Sequence, residues 1–208
     1  MSLSKILTLV AVLLATGAVS SAFAGELTVI VDDDFETSQH SIRKAVRGDW
    51  KIEGGTAKVI QDDETYKKFK NHGPMLTYEV EHKDLGAVIE FKPLDCKRVV
   101  FTFDAIKGHA FRVILRADQE KGRCTIQTYT AKENDQKAKP IILDDTLPRL
   151  REDKWHRLQV QLNGSRASVV LDDRRYEVEH ARIDQAKRLA KLSFAFGEIE
   201  VRKFELTR

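Results

Sequence analysis

From Thr28 to the C-terminus the apolar residues recur at every second position, and a chain with that period folds into strands buried on one face. Val99, Phe101, Phe103 and Ala105 share one parity, while Arg98, Thr102 and Asp104 share the other. Phe111, Val113 and Leu115 repeat the pattern against Arg112 and Arg116. Leu158, Val160 and Leu162 do so against Arg157, Gln159 and Gln161, and Ala167, Val169 and Leu171 follow after Asn163-Gly164-Ser165. An Asn-Gly pair between two alternating runs is the strongest local hairpin signal. A second tight turn is predicted at Asp172-Asp173-Arg174, before Tyr176 to Glu179. Leu192, Phe194 and Phe196 alternate again, then Ile199 and Val201; the phase slips to Phe204 and Leu206, which predicts a bulge near Arg202-Lys203. Helical signal is confined to Asp184–Ala190, which predicts one short helix capped by Asp184. Thr65 to His72 reads as a basic loop or a single turn, and Lys132 to Lys139 as a polar loop. These patterns predict an all-β chain, a two-sheet antiparallel sandwich with at most one short helix.

Length and charge narrow the reading. The chain has 208 residues, and the first 24 carry a single charge, Lys5. Met1 to Lys5 is a short positive segment, Ile6 to Ala15 is almost wholly apolar, and Ala22-Phe23-Ala24 supplies the small residues that a signal peptidase reads. The expectation is a cleaved secretory signal over residues 1–24 and one domain over 25–208, secreted or periplasmic, with no membrane span after cleavage, because an apolar run of about ten residues is half of the roughly 20 needed to cross a bilayer. With 35 basic and 32 acidic side chains in the whole chain, the near balance argues against a nucleic-acid partner.

Export permits a bridge between the two cysteines, Cys96 and Cys124. Val99 to Ile106, Ala110 to Ala117 and Cys124 to Ala131 read as three successive strands. Paired as a meander, they leave the cysteines two strands apart, about 9.6 Å, against a limit of roughly 7 Å between Cα atoms. A disulfide requires the strands to part into different sheets; otherwise both thiols stay unpaired.

Trp155-His156-Arg157-Leu158-Gln159-Val160-Gln161-Leu162-Asn163-Gly164, followed by Val169-Val170-Leu171-Asp172-Asp173, resembles the late hairpin of the concanavalin A-like lectin and glucanase jelly rolls, laminin-G-like modules among them. Asp33-Asp34-Phe35, Trp50-Lys51-Ile52-Glu53-Gly54-Gly55 and the closing Ile199 to Leu206 resemble the secreted bacterial 3-keto-disaccharide hydrolase domains. The resemblance implies a concanavalin-like jelly roll that handles a carbohydrate or glycoconjugate on its concave sheet. It sets Gly108-His109-Ala110-Phe111-Arg112 where that family has a Gly-led strand ending in an Arg directed at the sugar, so His109 and Arg112 are expected to bind substrate, with His82. One departure separates scaffold from activity: the family's Gln-Asp-His-Gly before the last strand is here Phe194-Ala195-Phe196-Gly197.

Glycoside cleavage uses two carboxyl groups about 5 to 10 Å apart. Glu79 and Glu81, at i and i+2 of a predicted strand beside His82, project from one face about 7 Å apart and are the candidate catalytic pair. Alternating Glu is equally what the solvated face of a half-buried strand shows when Leu76, Tyr78 and Val80 point inward. The Glu-x-Asp-x-Glu strand of laminarinase-type jelly rolls is not completed, since Lys83 stands at its third place. In Asp32-Asp33-Asp34, Asp32 and Asp34 share a face and are candidate ligands for a structural Ca²⁺; a solvated strand end is the plainer alternative. Trp50 and Trp155 each open an alternating strand and are expected in the core. No phosphate loop, zinc-type Cys/His pairing or Gly-x-Ser-x-Gly elbow occurs. Two functions follow as alternatives: an exported saccharide-binding and hydrolysing protein, or a non-catalytic lectin-like or adhesion module.

Overall fold

The structure, a computed structural model, describes residues 27–118, 123–128 and 140–208. The segment expected as a signal and the loop expected over Lys132 to Lys139 lie outside these residues. Alternation becomes strands along the described chain. They are β1 (Val29–Asp33), β2 (Arg43–Val46), β3 (Lys51–Glu53), β4 (Thr56–Ile60), β5 (Met75–His82), β6 (Gly86–Leu94), β7 (Arg98–Ala105) and β8 (His109–Asp118). They continue as β9 (Arg123–Thr128), β10 (Ile141–Pro148), β11 (His156–Asn163), β12 (Arg166–Leu171), β13 (Arg174–Glu179), β14 (Lys187–Ala195) and β15 (Glu198–Thr207).

The strands form two antiparallel sheets. An eight-stranded sheet runs β13-β12-β11-β6-β15-β4-β3, with β1 also on β15, and a seven-stranded sheet runs β10-β9-β8-β7-β14-β5-β2. The inward parities meet in one core: Leu76, Tyr78, Phe101, Phe103, Phe111 and Phe194 from the seven-stranded sheet face Ile89, Phe91, Leu158, Val169, Phe204 and Leu206 from the other. Tyr78 stacks on Phe204 across the sheets, with ring centroids 4.0 Å apart. Both tight turns form where the sequence predicts them, since Asn163 pairs with Arg166 and Leu171 with Arg174. The bulge also falls in place: Val201 pairs with Phe91 and Lys203 with the adjacent Glu90, leaving Arg202 unmatched.

Two expectations are corrected. The helix expected over Asp184–Ala190 is absent; a 3-10 turn occupies Ala181–Ile183, and Lys187 already begins β14, bonded to β5 on one side and β7 on the other. A single turn of helix is a costly nucleus, whereas two ladders satisfy the same backbone groups at once. The short helix is instead α1 (Asp63–Lys68), where the Asp62 side chain accepts from Thr65 N at 2.7 Å. Trp155 is not a core residue: it lies half-buried with Arg202 and Lys92 over its ring at 4.6 and 5.3 Å, while Trp50 does pack on the core. Asp33, the middle member of the acidic run, is buried and binds Arg43 Nη1 through both oxygens at 2.8 Å and the Tyr78 hydroxyl at 2.8 Å.

β7, β8 and β9 pair consecutively, as a meander. Cys96 is a free thiol that donates to Glu198 O at 3.0 Å, and burial pushes its pKa up to about 12. Among the described residues no helix is long and apolar enough to cross a membrane.

Candidate functional site

The outward parity of the seven-stranded sheet builds a grooved face, one row at a time. Register places Lys44, Thr77, Lys191, Thr102 and Arg112 side by side across β2, β5, β14, β7 and β8. The next row holds Met75, Ser193, Val100 and Ile114, and the row beyond it sets Arg98 opposite Arg116. Apart from Lys44 and Thr77, the residues of these rows line a groove of about 420 Å³, with Met75, Val100 and Ile114 as its apolar floor. That volume is in the range of sites for small ligands. The wall comes from outside the sheet, from Arg47 after β2 and Asn71 to Gly73 after α1. Gly73 makes this wall possible, because a Cβ there would stand 2.1 Å from the Phe194 carbonyl oxygen. Arg47 is steadied by the Phe69 ring, 5.6 Å from its guanidinium.

Two of the three residues expected to bind substrate fall in this groove. His109 and Arg112 both line it, at the start of β8 as the Gly108 turn sets them. Arg112 Nε donates to Thr102 Oγ1 at 3.2 Å. His109 Nδ1 lies 2.5 Å from Asp104 Oδ1, and Lys191 also engages Asp104. Burial works to raise the Asp104 pKa, but hydrogen bonds from His109 and Lys191 outweigh it and hold the carboxyl below its ordinary value.

Glu79 and Glu81 do not enter the groove. They line a separate recess at the end of the same face, with Asp104, Arg188 and the β7–β8 turn, and Asp104 stands on the border between the two hollows. Glu79 is exposed and paired with Lys44, whose hydrogen bond and charge hold its carboxyl below the usual range. A group that must deliver a proton to a leaving oxygen near neutral pH needs the opposite shift. His82 sits at the end of β5, paired in register with Lys187.

At the metal candidates, Asp32 and Asp34 are exposed on the outward side of buried Asp33. Asp32 lies 3.6 Å from Lys203 Nζ, and Asp34 accepts from Glu36 N at 3.1 Å. No group of three or more His, Cys, Asp or Glu among the described residues is arranged to hold a metal ion.

Arg98, Arg116, Lys191 and Phe196 are functional candidates that the sequence reading missed. Phe196, just before Gly197, is 38% exposed with φ 66°. Its ring lies 5.5 Å from that of Tyr66, and Lys97 Nζ sits 4.7 Å above it. This aromatic pair, with Arg98 and Arg116, borders a shallow extension of the groove. The available signal was that Arg98, Arg112 and Arg116 hold the outward parity of one predicted meander.

No family model matches the chain, and no curated protein matches it by sequence. Solved structures do match in fold. A LamA variant from Z. galactanivorans in complex with laminaritriose and laminaritetraose superposes with a TM-score of 0.64 at 11% identity, over 87% of this chain and 99% of that one. The Bacillus licheniformis beta-glucanase gives 0.62 at 10% identity, over 89% and 99%. The carbohydrate binding module CBM66 from Bacillus subtilis gives 0.53 at 13% identity, over 79% and 95%. The two sheets, their order and these likenesses establish that the chain has the concanavalin-like jelly-roll fold.

Proposed function

We propose that this protein binds a saccharide in the groove of its seven-stranded sheet and does so as a lectin-like module without cleaving it. The observation that carries the reading is the groove's composition. Arg112, Arg98, Arg116 and Lys191 offer charged donors, Thr102 and Ser193 offer hydroxyls, and Met75, Val100 and Ile114 offer an apolar floor. Among the described residues, no Asp or Glu lines it. Such a surface satisfies ring hydroxyls by donation and covers the apolar face of a pyranose. The solved neighbours named as a glucanase, a carbohydrate binding module and a laminari-oligosaccharide complex support a sugar as the ligand. An exported protein, as the leader expected over residues 1–24 implies, meets glycoconjugates outside the cytoplasm.

A hydrolytic reading like that of the 3-keto-disaccharide hydrolases is favoured by one observation, the three carboxylates Glu79, Glu81 and Asp104 around the recess beside the groove. Glycan-array binding run beside a hydrolysis screen that includes 3-keto-glucosides separates the two. The expected result is binding without turnover, weakened about tenfold by Arg112→Gln. Turnover that disappears in Glu81→Gln would establish hydrolysis instead. Binding indifferent to Arg112→Gln would remove the groove from the account.

A further inference from the structure

Arg98 and Arg116 stand directly opposite each other on neighbouring strands, with the side chains on one face. Like charges in that relation destabilise a sheet. Elsewhere this protein matches its charges closely. On the eight-stranded sheet Glu90 takes Arg157 at 2.6 Å and Arg202 at 2.7 Å, and Glu200 takes Lys92 at 2.5 Å and Lys58 at 3.2 Å. Neither Arg98 nor Arg116 pairs with a carboxylate among the described residues, and Arg47 faces them from the groove wall. Two guanidinium forks thus converge on one end of a groove, and a planar or tetrahedral anion is what such forks hold best.

The aromatic neighbours add the second half of the site. Exposed Phe196, backed by Tyr66, borders the same two arginines. An apolar ring face beside paired cations fits a pyranose that carries an anionic substituent. A long polyanion needs a basic track, and the chain as a whole is nearly balanced, 35 basic against 32 acidic groups.

Building on the saccharide-binding reading, we propose that the Arg98–Arg116 end of the groove recognises the charged group of an acidic saccharide, a uronate carboxylate or a sulfate ester, with Phe196 against its ring. Calorimetric titration of the full protein tests this with four probes of matched length: a neutral β-glucan oligosaccharide, an oligogalacturonate, a sulfated oligosaccharide and a single-stranded oligonucleotide. At 50 mM NaCl an acidic oligosaccharide binds about tenfold or more tightly than the neutral one, and the advantage shrinks at 300 mM. Whether the carboxylated or the sulfated probe gains identifies the anion. In Arg98→Gln/Arg116→Gln the affinity for the acidic probe falls to that for the neutral one, and the ligand-free melting temperature does not fall, because a like-charge pair has been removed. The single variants Arg98→Gln and Arg116→Gln give the same comparison should the double variant fail to fold.

Equal affinity for neutral and acidic probes, unchanged by these variants, overturns the inference and leaves saccharide binding standing. Binding of no saccharide overturns both. Tighter binding of the oligonucleotide than of every saccharide also overturns the inference.

Discussion

Lys187 carries an ammonium into the end of the sandwich, with its side chain fully buried and its Nζ donating to the carbonyls of Lys83 and Ile183. Burial lowers its pKa from 10.5 to about 8, against the opposing pull of Asp84 and Asp184. Between those two values the folded chain holds fewer protons than the unfolded chain, so stability rises with pH across that window and the cost of the charge is complete below it. The stability of the protein relative to Lys187→Met is expected to rise by about 2–3 kcal/mol between pH 7.5 and 10.5. Chemical denaturation of both proteins across that range measures it, and a flat difference contradicts the assignment. Nothing in the sequence marked this lysine, because the register shift between Lys187 and Leu189 turns Lys187 inward and Leu189 outward. Alternation cannot be read through such a shift.

Strands were legible wherever both sheet neighbours left the period undisturbed. β7 and β8 fall within a residue of their expected limits, and the slip before Phe204 located the bulge at Arg202. β14 was missed in its first half because Asp184 to Ala190 carries helix-forming residues, while the groups that decide its state, on β5 and β7, lie about a hundred residues away. The groove shows the same limit. Parity identified Arg112 as outward, yet its wall depends on Gly73 lying against β14, a contact with no local signature. A methyl group at position 73 must push that segment off the sheet, since the Phe194 oxygen belongs to the backbone and cannot swing aside. Gly73→Ala is expected to cost about 1–3 kcal/mol and to weaken ligand binding with it. Thermal melting and titration together check this; full stability with full binding would show that the wall does not depend on the close approach.

At the scale of the whole molecule the two outer faces differ in kind. The eight-stranded sheet pairs its charges across strands, as in Lys58 with Glu198 and Arg157 with Glu90, whereas the groove of the seven-stranded sheet gathers cations over an apolar floor. Sequence parity could say that charged residues face outward, but it could not say which outward face they share. Glu79 and Glu81 were therefore chosen for their spacing, although their setting on the same face is a separate recess, with Glu79 held by Lys44. The central claim, that a saccharide occupies the groove, is tested most directly by following backbone amide resonances while a β-glucan or acidic oligosaccharide is added. The account predicts shifts concentrated on β7, β8 and β14 around Thr102, Arg112 and Lys191, with β11, β12 and β13 unmoved. Shifts confined to β11, β12 and β13, or none with any saccharide, would contradict it.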